Sequence, residues 1–234
     1  GAYFAIGTWV IAEVTRLLVA QWKALGGGTG TSLPREATAN ILGVETIGAL
    51  FGVREAAARD ILAYWLALVL AVAVTVVIYR LLRSRLGLAL LAVRDNTEAA
   101  QSVGVDARRL KWIVFLLAAL ATGLVGGLVF MQTARISPDA AFALTDWTAY
   151  VIFIVVIGGI GTIEGPILGV LVFFVLRSAL ADYGSWYLMT LGLIAIAVML
   201  FAPHGLWGAI SSRTGMHLFP VRRRLAGPHI EGGN

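Results

Sequence analysis

The chain has 234 residues, of which 59% are hydrophobic and 13% are charged, whereas an ordinary soluble domain carries about 25% charged residues. This composition excludes a soluble globular protein and indicates an integral membrane domain. The sequence has no cysteine, which excludes disulfides and thiolate chemistry, and its net charge of +5 is expected to reflect cytoplasmic loops rather than binding of nucleic acid.

Six apolar runs predict an all-α fold, a polytopic membrane bundle of about six transmembrane helices. They lie near residues 1–22, 62–82, 112–133, 148–161, 166–181 and 186–203. The second and third runs are long enough to cross about 30 Å of hydrocarbon at 1.5 Å per residue. Because the opening GAYFAIGTWVIAEV lacks an initiator Met, we expect the chain to begin inside a span and to lack upstream spans.

The first run contains two charged residues, Glu13 and Arg16, three positions apart and therefore on one face of a helix. Charges within a membrane segment are costly and usually face the bundle interior or a wet cavity. Two interpretations stay open. The pair either satisfies itself or contacts other spans, or Glu13 lines a pathway and recognises one end of a zwitterion.

The charges in the loops predict which ends of the spans face the cytoplasm. Residues 80–111 carry seven basic and three acidic residues, a net charge of +4, whereas residues 23–61 balance to zero. Because Lys and Arg concentrate in cytoplasmic loops, the 80–111 loop is predicted to be cytoplasmic and the 23–61 loop external. Alternation of six spans then predicts a basic cytoplasmic tail over residues 206–234, whose arginines suit anionic lipid headgroups.

The cytoplasmic loop contains a short polar stretch, RDNTEAAQSVGV, at residues 94–105. Asp95, followed three positions later by Glu98, resembles a capping box and predicts a helix from about Asn96. Gly104 suits the left-handed residue that follows a helix end. A helix of about two turns is marginal alone in water and needs something to pack against.

The side chains of this short helix predict a docking surface. Ala99, Ala100 and Ser102 are small and would leave it smooth, and Val103 and Val105 would supply apolar tips. The alternative is a capped surface helix that only links two spans.

The same stretch carries a family resemblance. Glu98-Ala99-Ala100 followed by Gly104 matches the E-A-A-x-x-x-G pattern (EAA motif) in the cytoplasmic loop of bacterial ABC importer permeases, although the Leu-Pro of the general motif is absent. LLAVRDNTEAAQSVGVDARRLKWIVFLLAALATGLVGGL is similar to the corresponding region of branched-chain amino-acid permeases of the LivM type. GAYFAIGTW, GGGTGTSLP, SPDAAF and GGIGTIEGPILG extend the resemblance over roughly residues 1–205.

The resemblance implies a permease domain over residues 1–205 of an ATP-driven importer for branched-chain amino acids, in a bacterial plasma membrane. Its partners would be a LivH-type permease, two ABC ATPases that carry ATP and Mg²⁺, and an extracytoplasmic amino-acid-binding protein. The chain would be no enzyme, and would bind no cofactor or metal directly. Within a coupling loop at 83–111, the residues that couple to the ATPase would be Arg94, Asp95, Glu98, Ala99, Ala100 and Gly104.

Two glycine-rich segments are candidates for the pathway. The resemblance implies that GGGTGT, residues 26–31, shapes the external mouth, although a flexible loop is the simpler interpretation. GGIGTIEGP, residues 158–166, is either a turn between two spans or the break in a discontinuous helix. Close helix packing is one explanation of its glycines. The other is that they are, together with Glu13, candidate pathway or gate residues: Gly158, Gly159, Gly161 and Gly165.

Other functions stay open or are disfavoured on specific grounds. An ABC permease for urea or short amides is the nearest alternative, followed by an ion-coupled secondary transporter and a membrane scaffold. A secondary transporter needs ionisable residues near the midplane, and only Glu13 with Arg16 qualifies. His204, His217 and His229 are widely spaced and predict no metal site, and GGIGTIEGP lacks the GK[ST] end of a P-loop.

Overall fold

The computed structural model describes residues 2–34, 41, 43–180, 186–202, 204–215 and 219. These residues are mostly helical, and two residue pairs form a small antiparallel sheet. The helices are α1 (Ala2–Gln21), α2 (Val44–Phe51), α3 (Glu55–Arg83), α4 (Arg85–Asp95), α5 (Thr97–Ser102), α6 (Ala107–Thr133), α7 (Pro138–Ala141), α8 (Tyr150–Gly158), α9 (Glu164–Leu180), α10 (Trp186–Phe201) and α11 (Gly205–Thr214), and the strands are β1 (Thr31–Ser32) and β2 (Arg135–Ile136). The predicted fold class, a helical polytopic membrane bundle, is confirmed.

Each of the six predicted spans corresponds to a helix. Within the part of the chain that the structure describes, four stretches are long and apolar enough to cross a membrane, namely Glu55–Arg83, Ala107–Thr133, Pro138–Gly158 and Met189–Thr214. With 29 and 27 residues, α3 and α6 extend beyond the predicted runs, because their polar ends continue the helix past the hydrocarbon. The number of membrane crossings stays a prediction.

The surface of these helices is apolar. Trp65, Leu120 and Phe201 are 56%, 66% and 88% exposed, and similar side chains follow the length of the long helices. Lipid tails are as apolar as these side chains, whereas in water such a surface would be costly. The exposure therefore agrees with an integral membrane protein.

The chain divides into two compact units. The first comprises Gly1–Ile78 and Ala89–Tyr150, and the second comprises Tyr79–Leu88 and Val151–Asn234. In the second unit α11 packs on α9 and α10. The predicted boundary between a membrane domain and a tail near residue 205 stays a prediction, and the tail arginines at positions 222–224 lie outside the described residues.

The segment GGIGTIEGP joins α8 and α9 into an antiparallel hairpin. A Cβ added to Gly158 would overlap the Gly165 carbonyl, and one added to Gly169 would overlap the Ile154 carbonyl. Farther along, the rings of Phe153 and Phe173 pack edge to face at 5.7 Å. Because these contacts pair the end of one helix with the start of the next, the segment is a turn between two helices rather than a break in one.

Candidate functional site

The short polar helix of the EAA motif forms close to where the sequence predicts it, as α5. The side-chain oxygen of Asn96 accepts hydrogen bonds from the backbone N–H groups of Glu98 and Ala99, both at 3.0 Å. The prediction that Asp95 caps the helix is wrong. Asp95 still belongs to α4, and its carboxylate accepts hydrogen bonds from Arg94 at 3.0 and 2.9 Å.

The C-terminal end of α5 confirms the predicted role of Gly104 as the left-handed residue. Gly104 has φ +88°, and its N–H donates to the Gln101 carbonyl at 2.9 Å. The next N–H, of Val105, donates to the Ala100 carbonyl at 3.0 Å. This pair of bonds is the Schellman arrangement, which satisfies carbonyls that the helix end would otherwise leave unpaired.

The short helix is anchored within its own chain. Ala100 is only 3% exposed and packs in a cluster with Val93, Ala107 and Leu110, which come from α4 and α6. The prediction that Ala100 belongs to an open docking surface is therefore wrong, because burial of its methyl group holds α5 in place. The opposite side is exposed, with Val103 78% accessible. We call Glu98, Ala99, Gln101, Ser102 and Val103 the coupling face.

Removing the observed cap should loosen the start of α5. In Asn96→Ala the Glu98 and Ala99 amides lose their acceptor, which typically costs about 1 kcal/mol, so their hydrogen exchange should accelerate about fivefold. Asp95→Ala is the matched control, because among the described residues that carboxylate pairs with the exposed Arg94 alone. This substitution should leave both exchange rates unchanged. Hydrogen–deuterium exchange of the peptide that covers these amides measures both effects. Faster exchange in the control alone would restore the capping role to Asp95.

The charged pair of the first helix belongs to a larger ionic group. Arg16 pairs with Glu13 at 2.6 Å and, through its other terminal nitrogen, with Asp139 of α7 at 2.6 Å. The Glu13 side chain is 47% exposed and the Arg16 side chain 25% exposed. This geometry fits the interpretation that the pair satisfies itself and ties α1 to α7, and the pathway role of Glu13 stays a prediction.

Three of the four candidate gate glycines lie in close backbone contacts. Besides the overlap between Gly158 and Gly165, a Cβ on Gly159 would lie 2.8 Å from the His204 carbonyl oxygen. Gly161 has φ +85° and open space around it. Close packing of α8, α9 and the start of α11 therefore explains Gly158, Gly159 and Gly165, and the positive φ explains Gly161. The role of the four glycines as a gate stays a prediction.

A buried carboxylate beside this turn was missed in the sequence. Glu164 is 6% exposed and accepts a hydrogen bond from the Phe219 backbone N–H at 2.7 Å. The Phe219 ring packs edge to face on Tyr79 at 5.6 Å. The one signal in the sequence was an acidic residue within a glycine-rich turn, which does not reveal a partner 55 positions away.

Without the Glu164 carboxylate, the Phe219 backbone N–H should lose its hydrogen-bond acceptor. A hydrogen bond to a charged group contributes about 1.5–3 kcal/mol, so amide exchange at Phe219 should be roughly 10- to 100-fold faster in Glu164→Leu. Glu164→Gln is the control, because its amide oxygen can still accept the bond and the increase should be smaller. Equal exchange in the leucine variant and the parent protein would contradict the assignment.

At the far end of α6, two loop segments are fastened together. β1 pairs with β2, the Leu33 N–H donates to the Ala134 carbonyl at 2.9 Å, and an Arg135 terminal nitrogen donates to the Thr29 carbonyl at 3.3 Å. A Cβ on Gly30 would overlap the Ile136 carbonyl. GGGTGT is thus held against the segment after α6, and its role as an external mouth stays a prediction.

Together, these features define a multi-pass helical membrane protein that presents a rigidly capped helix between two long apolar helices. The family described as "Branched-chain amino acid transport system / permease component" matches residues 1–203. The chain belongs to this family of permeases, as the resemblance of its sequence to the LivM type predicted.

The relatives support the same assignment. The chain is 33% identical over 217 residues to the high-affinity branched-chain amino acid transport system permease protein LivM of Escherichia coli K12, covering 88% of this chain and 51% of that protein. It is 28% identical over 138 residues to the probable branched-chain amino acid transport permease protein LivH of Methanocaldococcus jannaschii, covering 55% of this chain and 42% of the relative. No solved structure matches. The chain therefore spans about half the length of the curated LivM relative.

Proposed function

We propose that this chain is the LivM-type permease subunit of an ATP-driven importer for branched-chain amino acids in a bacterial plasma membrane. The observation that carries the proposal is the coupling face of α5, which is capped at both ends in a chain 33% identical to LivM. A surface that is exposed and held by caps at both ends of its helix suits docking into a cleft of a partner protein. ATP and Mg²⁺ would be bound by the ATPase subunits.

The contacts of α5 suggest how ATPase movement would reach the membrane. Ala100 joins α5 to both α4 and α6, so a push on the coupling face moves the start of α6. This helix has 27 residues and is about 40 Å long at 1.5 Å per residue. It would carry the displacement to the segments after Thr133, where the pathway would open and close in alternation.

The remaining partners follow from the same proposal. A LivH-type permease would complete the pore, and a binding protein would deliver the amino acid at the end where β1 and β2 meet. The charge balance of the loops supports a cytoplasmic location for α5 and the C-terminus, where the basic tail would lie close to anionic lipid headgroups.

Transport by a reconstituted complex tests the proposal. The full-length gene is co-expressed with its partner permease, ATPases and binding protein, and the purified complex is placed in vesicles with ATP on the ATPase side. We expect uptake of leucine, isoleucine or valine that stops when the ATPase cannot hydrolyse ATP. Preferred uptake of urea or a short amide would show that this compound, and not a branched-chain amino acid, is the substrate. Uptake driven by an ion gradient without any ATPase would replace the proposal with a secondary transporter.

A further inference from the structure

The first unit contains a groove along α6. Its volume is about 530 Å³, within the range of about 300–1,000 Å³ that small-molecule sites occupy. The walls are largely apolar and come from Phe115, Gly126, Phe130, Ile136 and Trp147, and Arg135 lies among them as the charged residue. The groove thus combines an apolar surface with one cationic side chain.

The backbone is strained where it presents this cation. Ala134 has φ +53°, and among the described residues it is the only residue other than glycine with a positive φ. Such a conformation is uncommon outside glycine, asparagine and aspartate, and it persists where the surroundings enforce it. Here the enforcement comes from the Ala134 N–H bond to the Phe130 carbonyl at 2.9 Å and from the β1–β2 pairing. The left-handed conformation of Ala134 ends α6, and the chain continues into β2 at Arg135.

The opposite wall has a second unusual conformation. Thr145–Ala149 forms a π-helical turn, a rare geometry that occurs frequently at functional sites. Trp147, in the middle of the turn, donates its indole N–H to the Ala140 carbonyl at 3.0 Å. This bond fixes the indole at the groove, so the wall is formed before any ligand arrives.

The geometry points to this groove as a site that receives the amino acid during transport, with Arg135 as the anchor for its carboxylate. This inference rests on the proposed function and adds a site to it. Within the described residues the Arg135 guanidinium makes one hydrogen bond, to the Thr29 carbonyl, and a guanidinium has five N–H donors. The remaining N–H groups of the planar guanidinium can form two parallel hydrogen bonds with a carboxylate.

The apolar walls specify which side chains the groove accepts. An aliphatic side chain can lie against Phe130, Ile136 and Trp147 without losing any hydrogen bond. A charged or amide side chain would be desolvated there without a partner, which is costly. The groove would therefore select against polar amino acids independently of the binding protein.

Uptake by variants of the reconstituted transporter tests the carboxylate anchor. Arg135→Gln should lower leucine uptake about 10- to 100-fold, as expected for the loss of a charge-assisted hydrogen bond, and Arg135→Lys should retain part of it. Arg177→Gln is the matched control, because Arg177 is an exposed arginine in the last turn of α9 and is not among the residues that line the groove. Unchanged uptake in Arg135→Gln would overturn the anchor. Absence of uptake by the parent complex would instead count against the proposed function.

Two adjacent glycines of α6 test occupancy of the groove. Gly126 lines it and Gly127 does not, and neither has an atom within 4 Å of an added Cβ. Since these 234 residues contain no cysteine, Gly126→Cys and Gly127→Cys each introduce one thiol into this part of the protein. A small water-soluble thiol reagent should label the first, and leucine should slow that labelling at least threefold while leaving the second unaffected. No protection by leucine, or equal protection at both positions, would overturn the inference.

Discussion

Gly104→Val is expected to reduce ATP-driven uptake at least tenfold while the complex remains assembled and continues to hydrolyse ATP. Gly104 has φ +88° and no atom within 4 Å of an added Cβ, so the variant suffers backbone strain rather than a collision. A left-handed conformation costs an ordinary L-residue about 1–2 kcal/mol, and a β-branched residue is the least suited to it. The C-terminal end of α5 should therefore unwind and misplace Val103.

Two controls separate this effect from general damage. Gly104→Asn should keep most of the uptake, because asparagine tolerates the left-handed region. Gly215→Val imposes similar strain after α11, where Gly215 has φ +68° and also has open space, and it should leave coupling intact. The measurements are uptake and ATP hydrolysis by the same vesicles. Full uptake in Gly104→Val would contradict a coupling role for α5.

Gly158→Ala is expected to prevent accumulation of a folded protein. The added Cβ would overlap the Gly165 carbonyl and lie 3.1 Å from the Gly169 nitrogen. Both neighbours are backbone, so no side-chain rotation relieves the overlap and α8 must move away from α9. Overpacking typically costs 1–3 kcal/mol, and a collision with backbone atoms should cost at least the upper value. Against a total stability of about 5–15 kcal/mol, this is a large fraction.

The matched control is Gly192→Ala, also a substitution within a helix. Gly192 lies in α10 with no atom within 4 Å of an added Cβ, and alanine is a better helix former by about 1 kcal/mol. We expect a monodisperse peak at normal yield for this variant in detergent size-exclusion chromatography, and loss of the peak for Gly158→Ala. A normal peak and melting temperature in Gly158→Ala would show that the hairpin tolerates separation.

Local signals in the sequence predicted the position of α5 well. The acidic and amide residues before it and Gly104 after it act through hydrogen bonds a few residues away, so their pattern is visible in the chain itself. The prediction failed by one residue at the cap, because Asp95 and Asn96 are both good capping residues. The choice depended on where α4 ends, and the capping pattern does not encode that position.

Contacts between segments far apart in the chain could not be predicted from the sequence. Burial of Ala100 requires both α4 and α6, and nothing in EAA distinguishes it from the exposed Ala99. Glu164 and Phe219 are 55 positions apart, and Arg135 reads as an ordinary residue after a span. In each case the function of the side chain is set by a partner from another element, which periodicity and composition do not identify.

The α8–α9 hairpin also bears on how the protein is made. Residues 159–163 join α8 to α9 directly. Among the described residues, Gly165 and Gly169 of α9 pack against α8 and against the turn that joins the two helices. We therefore expect the two helices to leave the translocon laterally as one unit, so that a ribosome stalled before α9 emerges would leave α8 poorly integrated in the bilayer.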